Sequence, residues 1–467
     1  RRVAMHQLTG RVLDSNSPGW EAARHNFRLS VDYSKLIPKN VVFAQHVSDV
    51  QNAVRFAREN KLPIRARSGR HSYEVYSLVE NGVIVDVSEM DEISVDAHAG
   101  IARVGAGVFC LDLHENLFDV GLTVPAASGG SVGIAGLALG GGFGVTSRKY
   151  GLTCDNIAGV QLVTANGDYV HANEHQNADL YWACRGGGGG NFGIVTSFDF
   201  RVHPIGMVAL CNITWQWNDF TAVVDAWQKW APNAPDGLST FLRLAVTGVI
   251  TLFGVLTPDS PADLAGFSAL LAPMLGAAPP TGVQIQLMPY STAAAFFAGA
   301  DPTKLEWMLH PHNDRQQFKS TSAVAYEPFP AEALALLKSQ IEAAPPQTDW
   351  DTNEPSMIQL LAGGGAPGRV AVDATPVPHR KGVFIVQYDT YWTDPADQDK
   401  SEKWIEGVRT AMLPYAHGAY VNYVDHNIEN FLDAYYGPNL KRLVEVKRAI
   451  DPENFFNFPQ SIPTKLP

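Results

Sequence analysis

The sequence predicts an α+β protein in which two glycine-rich α+β subdomains are followed by a domain with an antiparallel sheet covered by helices. Three observations carry this. Between residues 38 and 107, short β-branched runs bracket one amphipathic helical stretch. Glycine is concentrated between 125 and 204, threaded with Val, Ile, Leu and Phe rather than with the polar residues of a linker. Eight of the ten tryptophans (Trp215, Trp217, Trp227, Trp230, Trp307, Trp350, Trp392 and Trp404) fall between 205 and 419, where glycine thins out. A chain of 467 residues is too long for one ordinary core. The expected units are 1–205, 206–419 and a closing segment, 420–467, that returns to the first.

Taken in order, Asn40–Gln45 reads as a strand, and Val47-Ser48-Asp49 caps an amphipathic helix that runs to Asn60. Leu62–Arg65 is the next strand, and a glycine-centred turn, Arg65–Tyr73, follows at once. Val83–Val87, Ile93–Asp96 and Ile101–Gly107 alternate as strands and close the first unit. The second unit holds three glycine runs: Pro125–Gly144, Tyr150–Asn156 and Arg185–Val195. Ordering so much glycine costs entropy, so these runs suggest backbone lying against a ligand. Further on, Asn212–Trp217 and Gly382–Trp392 alternate as antiparallel strands, whereas Phe220–Trp230, Pro261–Leu271 and Ala331–Ile341 have helical spacing. That domain should lay helices on one sheet face and offer the other to a ligand. In the tail, Leu440–Ile450 is helical, and the aperiodic stretch after it should dock through Phe455, Phe456 and Phe458.

Composition excludes several classes. The chain is 46% apolar and 18% charged, which suits a packed globular protein. Its net charge is 35 − 47 = −12 and no Lys/Arg cluster stands out, which argues against a nucleic-acid partner. The longest apolar run, Leu244–Leu256, is interrupted by Thr247, Gly248, Thr251 and Gly254 and is too short for a bilayer. A soluble monomer or homodimer is expected, cytoplasmic or secreted. The segment Arg1–His6 has no apolar signal core, so a secretory signal is absent or already removed. Cys110, Cys154, Cys184 and Cys211 show no CxxC pair and no zinc spacing, so no metal is expected and disulfides are unsupported. The lone sequon at Asn212 leaves the compartment open.

The chemistry concentrates at His71. Ser68 and Gly69 allow a sharp turn whose successive N–H groups suit phosphate oxygens, and Arg65, Arg67 and Arg70 add positive charge. An imidazole there can ligate a metal, move a proton or attack a cofactor, or it can simply cap a surface turn. Gly188–Gly193 formally fits GxGxxG but leads into a strand instead of opening a helix, so a dinucleotide fingerprint fails in context. No Gly-Lys dipeptide exists, which excludes a Walker A loop.

Together, Arg67–Ser72, Ser131–Gly144, Tyr150–Asn156, Arg185–Val195, Asn422–Asp425 and Asp451–Pro463 resemble the berberine-bridge-enzyme-like FAD-linked oxidases of the vanillyl-alcohol-oxidase, or PCMH-type, flavoprotein superfamily. The resemblance covers the first 205 residues and the last 45. It implies a PCMH-type FAD-binding domain, a separate substrate domain, and FAD joined to His71 through the flavin 8α-methyl group. Relatives often add a cysteine link where this chain has Gly129, so a single bond is expected. Arg70 departs from the glycine found in many relatives. The resemblance places Arg67, Ser68, Gly69, Arg70 and Ser72 against the cofactor, with Pro125, Gly129, Gly130, Ser131, Val132, Gly133, Gly136, Gly140 and Gly141. Asp155, Asn156, Gly190, Gly193, Ile194, Val195, Asn422 and Asn457 complete that set.

By the same resemblance Tyr423 is the catalytic base, and Tyr73 borders the substrate. A phenol removes a proton only if neighbours lower its pKa from about 10. Candidate neighbours are Arg or Lys side chains, or Tyr388 or Tyr391 on the strand that also carries Gln387. Valine at 132 accompanies oxygen reactivity in relatives. The leading expectation is an oxidase that moves hydride from an alcohol or activated C–H substrate to flavin, with O2 as acceptor and H2O2 as product. Oxidative ring closure or oxygenation of a natural product is the alternative within the class, and a flavin-binding structural or coat-type protein the alternative outside it. A nicotinamide dehydrogenase lacks the βαβ context.

Overall fold

The computed structural model describes residues 5–299, 316–347 and 354–467; Trp307, Trp350 and the first four residues lie outside the described residues. Three sheets organise the chain. The first has four strands in the order Arg11–Leu13, Asn40–Phe43, Val83–Asp86, Ile64–Arg67, the last three parallel. The helix Val47–Glu59 carries the chain from Asn40–Phe43 across to Ile64–Arg67, and Val83–Asp86 then enters between those two strands. Its start is capped one residue earlier than the sequence predicts: His46 is the N-cap, and Asp49 accepts from the Gln45 and His46 amides.

The second sheet is antiparallel, in the order Ile93–Asp96, Ile101–Gly105, Ile194–Arg201, Ile157–Val163, Tyr169–Asn173. Here the sequence reading is corrected. Adjacency in sequence places Ile93–Asp96 and Ile101–Gly105 in the first unit, yet Ile101–Gly105 pairs with Ile194–Arg201 almost a hundred residues later. A non-local pairing leaves no trace in local periodicity.

The third sheet has seven antiparallel strands: Gly282–Pro289, Met207–Gln216, Val249–Leu256, Leu238–Ala245, Met357–Ala362, Phe384–Tyr391, Phe318–Ala325. Helices Phe220–Trp230, Ala331–Glu342 and Gln398–Met412 cover one face and build a core around Trp227, Leu242, Phe384 and Tyr388. The expected helix Pro261–Leu271 is broken at Gly266 into Pro261–Ala265 and Phe267–Leu270. The tail helix Leu440–Ile450 appears as predicted, and Leu443, Val444, Phe456 and Ile462 join the core of the two N-terminal sheets. All four cysteines are buried and unpaired. No helix among the described residues is long and apolar enough to cross a membrane.

Distant segments are stapled by buried charge. Lys319, fully buried, donates through Nζ to Glu74 at 2.9 Å and Asp425 at 2.7 Å; Arg28 also reaches Glu74, at 3.1 Å. Arg148 donates to five backbone carbonyls, those of Pro232, Ala234, Pro235, Leu238 and Gly363, and so ties the helix Ser147–Tyr150 to the large sheet. Burial alone would push the Glu74 and Asp425 carboxyls up, but the charges and donors around them outweigh it and hold both below the usual range. A carboxyl held low contributes stability above its unfolded pKa of about 4, and loses that contribution as pH falls through the lower folded value. Lys319→Met, which takes the cation from buried Asp425 and leaves Glu74 to Arg28 and His426, should lower urea stability at pH 7 by about 3–5 kcal/mol. A loss below about 1 kcal/mol would show that the ammonium is dispensable.

Candidate active site

The open face of the large sheet, the turn Arg65–Tyr73, two glycine runs and the tail segment Tyr420–Val424 enclose one continuous cavity of about 530 Å³. Its walls come together by backbone contact. A Cβ at Gly69 would overlap the Gly133 amide, and one at Gly133 would overlap that of Gly69, so only glycine allows the two turns to cross. Ser68 Oγ locks the crossing by donating to the Ala106 carbonyl at 2.7 Å. Further along, a side chain at Gly136 would meet nothing within 4 Å, and one at Gly189 only the Gly136 Cα, at 3.7 Å. These glycines present bare backbone to the cavity.

The positive charge expected at the turn is mostly spent inside it. Arg67 is 2% exposed and donates to Asp86 at 2.6 Å and to the Ala23 carbonyl. Arg70 reaches the Ala22 and His25 carbonyls and lies 3.7 Å from Asp86. Burial would push the Asp86 carboxyl up, but Arg67 and Arg70 outweigh it and keep it low. Arg65 is different. It donates to the Tyr76 and Ile64 carbonyls, meets no carboxylate among the described residues, and burial depresses its pKa to about 10. Arg70 also explains its own departure: its φ is +66°, the left-handed region where glycine is at ease.

His71 projects into the cavity. Its Nε2 is 2.9 Å from Ser131 Oγ, and its ring stacks on Phe27 at 4.3 Å. Tyr73 lies flat against Tyr423, with centroids 5.6 Å apart and an interplanar angle of 8°, while Tyr420 and Phe143 box Tyr423 edge-on. The Tyr73 hydroxyl meets Gln387 Nε2 at 3.5 Å.

Strand alternation decides what stands behind these rings. Ile385, Gln387 and Asp389 share one face of Phe384–Tyr391, and Phe384, Val386 and Tyr388 share the other. Tyr388 therefore points into the helix-covered core, where it is fully buried with an unpartnered hydroxyl. It cannot assist Tyr423, and that expectation is corrected. Asp389, which sequence reasoning missed, accepts from Ser320 Oγ at 2.6 Å, Gln359 Nε2 at 2.9 Å and Gln387 Nε2 at 3.1 Å. Burial pushes its pKa up to about 6 against those hydrogen bonds. A carboxylate two residues from Gln387, mid-strand in an apolar run, was the available signal. The expected lowering of the Tyr423 pKa is also corrected. Burial first, then Tyr73, Tyr420 and the Asp389 carboxylate, push it well above its ordinary value.

Other expected cofactor residues are used differently. Arg380 takes Asp155 in two bonds of 2.7 and 2.8 Å. Asn156 donates to the Tyr150 and Leu152 carbonyls and meets His203 at 2.5 Å. Asn457 is exposed and bonds to Asn454. Pro125, Gly130 and Gly141 are buried behind the lining, as are Ser131 and Gly140, which act through His71 and Asn422. Ser72, Gly129, Val132, Gly190, Gly193, Ile194, Val195 and Asn422 do line the cavity.

A cavity walled by bare glycine backbone, with Arg65 meeting no carboxylate among the described residues, fits an extended dinucleotide carrying a flat ring system. Family models agree: an FAD binding domain matches residues 38–173, and the berberine and berberine-like model matches 419–463. Fold and site thus define an FAD-linked oxidoreductase. The chain is 37% identical over 464 residues to the uncharacterized FAD-linked oxidoreductase YgaK of Bacillus subtilis, covering 98% of this chain and 97% of that one. It superposes on BBE-like 1 of Physcomitrella patens with a TM-score of 0.88 at 31% identity, over 98% and 97% of the two chains. Phl p 4, a grass pollen allergen with glucose dehydrogenase activity, matches with a TM-score of 0.85 at 26% identity, over 97% and 96%. The chain belongs to the berberine-bridge-enzyme-like family of the PCMH-type flavoproteins.

Because a Cβ at Gly140 would overlap Asn422 Oδ1, Gly140→Ala should displace the tail from the glycine run. The purified variant should carry less FAD per chain, read from the ratio of flavin to protein absorbance; full occupancy would show that the contact is not needed.

Proposed function

We propose that this chain is an oxidase for alcohols: residues 1–205 and 420–467 hold FAD, residues 206–419 choose the substrate, and the flavin is bonded to His71 alone. The observation that carries this is the stacked Tyr73–Tyr423 pair set over Gln387 and Asp389 in the same cavity as His71. Bound FAD would supply a two-electron acceptor, taking hydride from the substrate carbon and passing both electrons to O2 to give H2O2. The chain's part is to place the carbon and remove the hydroxyl proton. Tyr423 receives the substrate hydroxyl. With its pKa raised it stays protonated and cannot take a second proton, and Asp389, reached from Tyr73 through the Ser320 hydroxyl, is the group with a pKa suited to accept it.

Oxygen as acceptor rests on Val132. Variants of Phl p 4 are described both as a glucose oxidase, with a valine introduced for isoleucine, and as a glucose dehydrogenase without that change. By resemblance Val132, which lines the cavity here, is the corresponding valine.

The flavin should stay with acid-precipitated wild-type protein and be released from His71→Ala by trichloroacetic acid; yellow supernatant from wild type would refute the linkage. Tyr423→Phe should slow anaerobic flavin reduction roughly 10²-fold or more. Only the ionised Asp389 accepts a proton, so the wild-type rate should rise with pH through about 6 and then level off. Asp389→Asn should abolish that step. A wild-type profile flat from pH 5 to 7 would remove Asp389 from the proton path.

A further inference from the structure

The cavity-facing side of the large sheet is ordered in transverse rows. Register sets Thr251, Arg243, Gln359, Gln387 and Ser322 opposite one another on successive strands. Residues so aligned share a face. Beside this polar row runs an apolar one: Phe253, Phe241, Leu361, Ile385 and Val324. The floor of the cavity is therefore striped, half hydrogen-bonding and half suited to the C–H faces of a ring.

The polar row is also charged unequally. Arg243 lies over the rings of Phe253 and Phe241, 5.0 and 5.5 Å from their centroids, and its Nε donates to Gln359 Oε1 at 3.1 Å. Among the described residues it has no carboxylate within ion-pair reach, and neither terminal nitrogen of its fork has a hydrogen-bond partner. The same Gln359 passes its other end to Asp389. One amide thus holds a guanidinium on one side and a carboxylate on the other, and Gln387, which also donates to Asp389, lies against Tyr73. Arg243 and Gln387 are two strands apart, about 10 Å between their Cα atoms at the usual strand spacing. A sugar of one or two rings spans that distance.

We propose that the substrates are carboxylate-bearing polyols, uronic or aldonic acids of one or two sugar units, whose carboxylate is received by the Arg243 fork. Their hydroxylated end then lies at Gln387 and Tyr423. This rests on the oxidation site proposed above. A planar guanidinium already braced by Gln359 and two rings matches a planar carboxylate in two parallel bonds. Asp389 repels the same group, so the acid enters in one orientation, its hydroxyls and not its carboxylate beside the tyrosines. Arg243 stacked for packing alone is the competing account, and it predicts no discrimination between an acid and its neutral partner.

The test is anaerobic flavin reduction of the holoenzyme by D-glucuronate and lactobionate against glucose and lactose, with glucose 6-phosphate as a further probe. The acids should react about 10–100-fold faster at limiting concentration than their neutral partners, as a charge-assisted pair allows. In Arg243→Gln that ratio should collapse towards one, and Arg243→Lys should keep part of it; the flavin spectrum shows whether each variant is folded and loaded. A wild-type ratio near one, a ratio that survives Arg243→Gln, or a preference for glucose 6-phosphate would each overturn the proposal. Binding is read separately from chemistry by the change in flavin absorbance when the acid is added to Tyr423→Phe. Tighter binding of the acid than of its neutral partner there supports the Arg243 assignment even if the tyrosine proves idle, and equal binding overturns it whatever the tyrosine does.

Discussion

One ammonium group holds the architecture in register. Lys319 on the edge strand of the large sheet meets Glu74, just past the histidine turn, and Asp425, just past the tail tyrosine. Three stretches far apart in sequence thus converge on a single buried cation. Glu74, Asp425 and His426 offer ligand atoms within 4.8 Å of one another, an arrangement that could hold a metal ion, but Lys319 Nζ already supplies the positive charge among them. Because a buried charge is costly to leave unpaired, the pairing sets the position of Tyr73 and Tyr423 against the sheet.

The same economy of charge runs through the site. Arg67 and Arg70 neutralise Asp86 and brace the turn, so the turn itself offers backbone and Arg65 to a ligand. Burial of Tyr423 in a closed space disfavours its charged form, the neighbouring tyrosines and Asp389 add to this, and the phenol pKa rises instead of falling. That moves the proton-accepting role towards Asp389, the buried acid whose pKa lies closest to neutrality around these rings. The sheet face beneath supplies both the acid and, two strands away, the arginine that gives the cavity its polarity.

Much of this was legible beforehand. Strands such as Ile93–Asp96 and helices such as Phe220–Trp230 and Leu440–Ile450 lie where period and composition put them; the two helices each bury one face, and local pattern records which residues that face needs. The glycine runs announced a backbone-lined ligand site. What could not be read was partnership. Pairing of Ile101–Gly105 with Ile194–Arg201, the capture of Asp155 by Arg380 and that of Arg67 by Asp86 depend on chain folding over long separations.

By itself, the order of residues determined the class of the protein, its flavin motifs, the glycine turn that carries His71 and the division into glycine-rich and tryptophan-rich parts, since each is written in local composition and spacing. Tertiary structure alone decided which face of Phe384–Tyr391 meets the cavity, and so exchanged Tyr388 for Asp389. Alternation says that neighbours in a strand point oppositely, but only the packing of helices against one side says which of them is left to face a substrate.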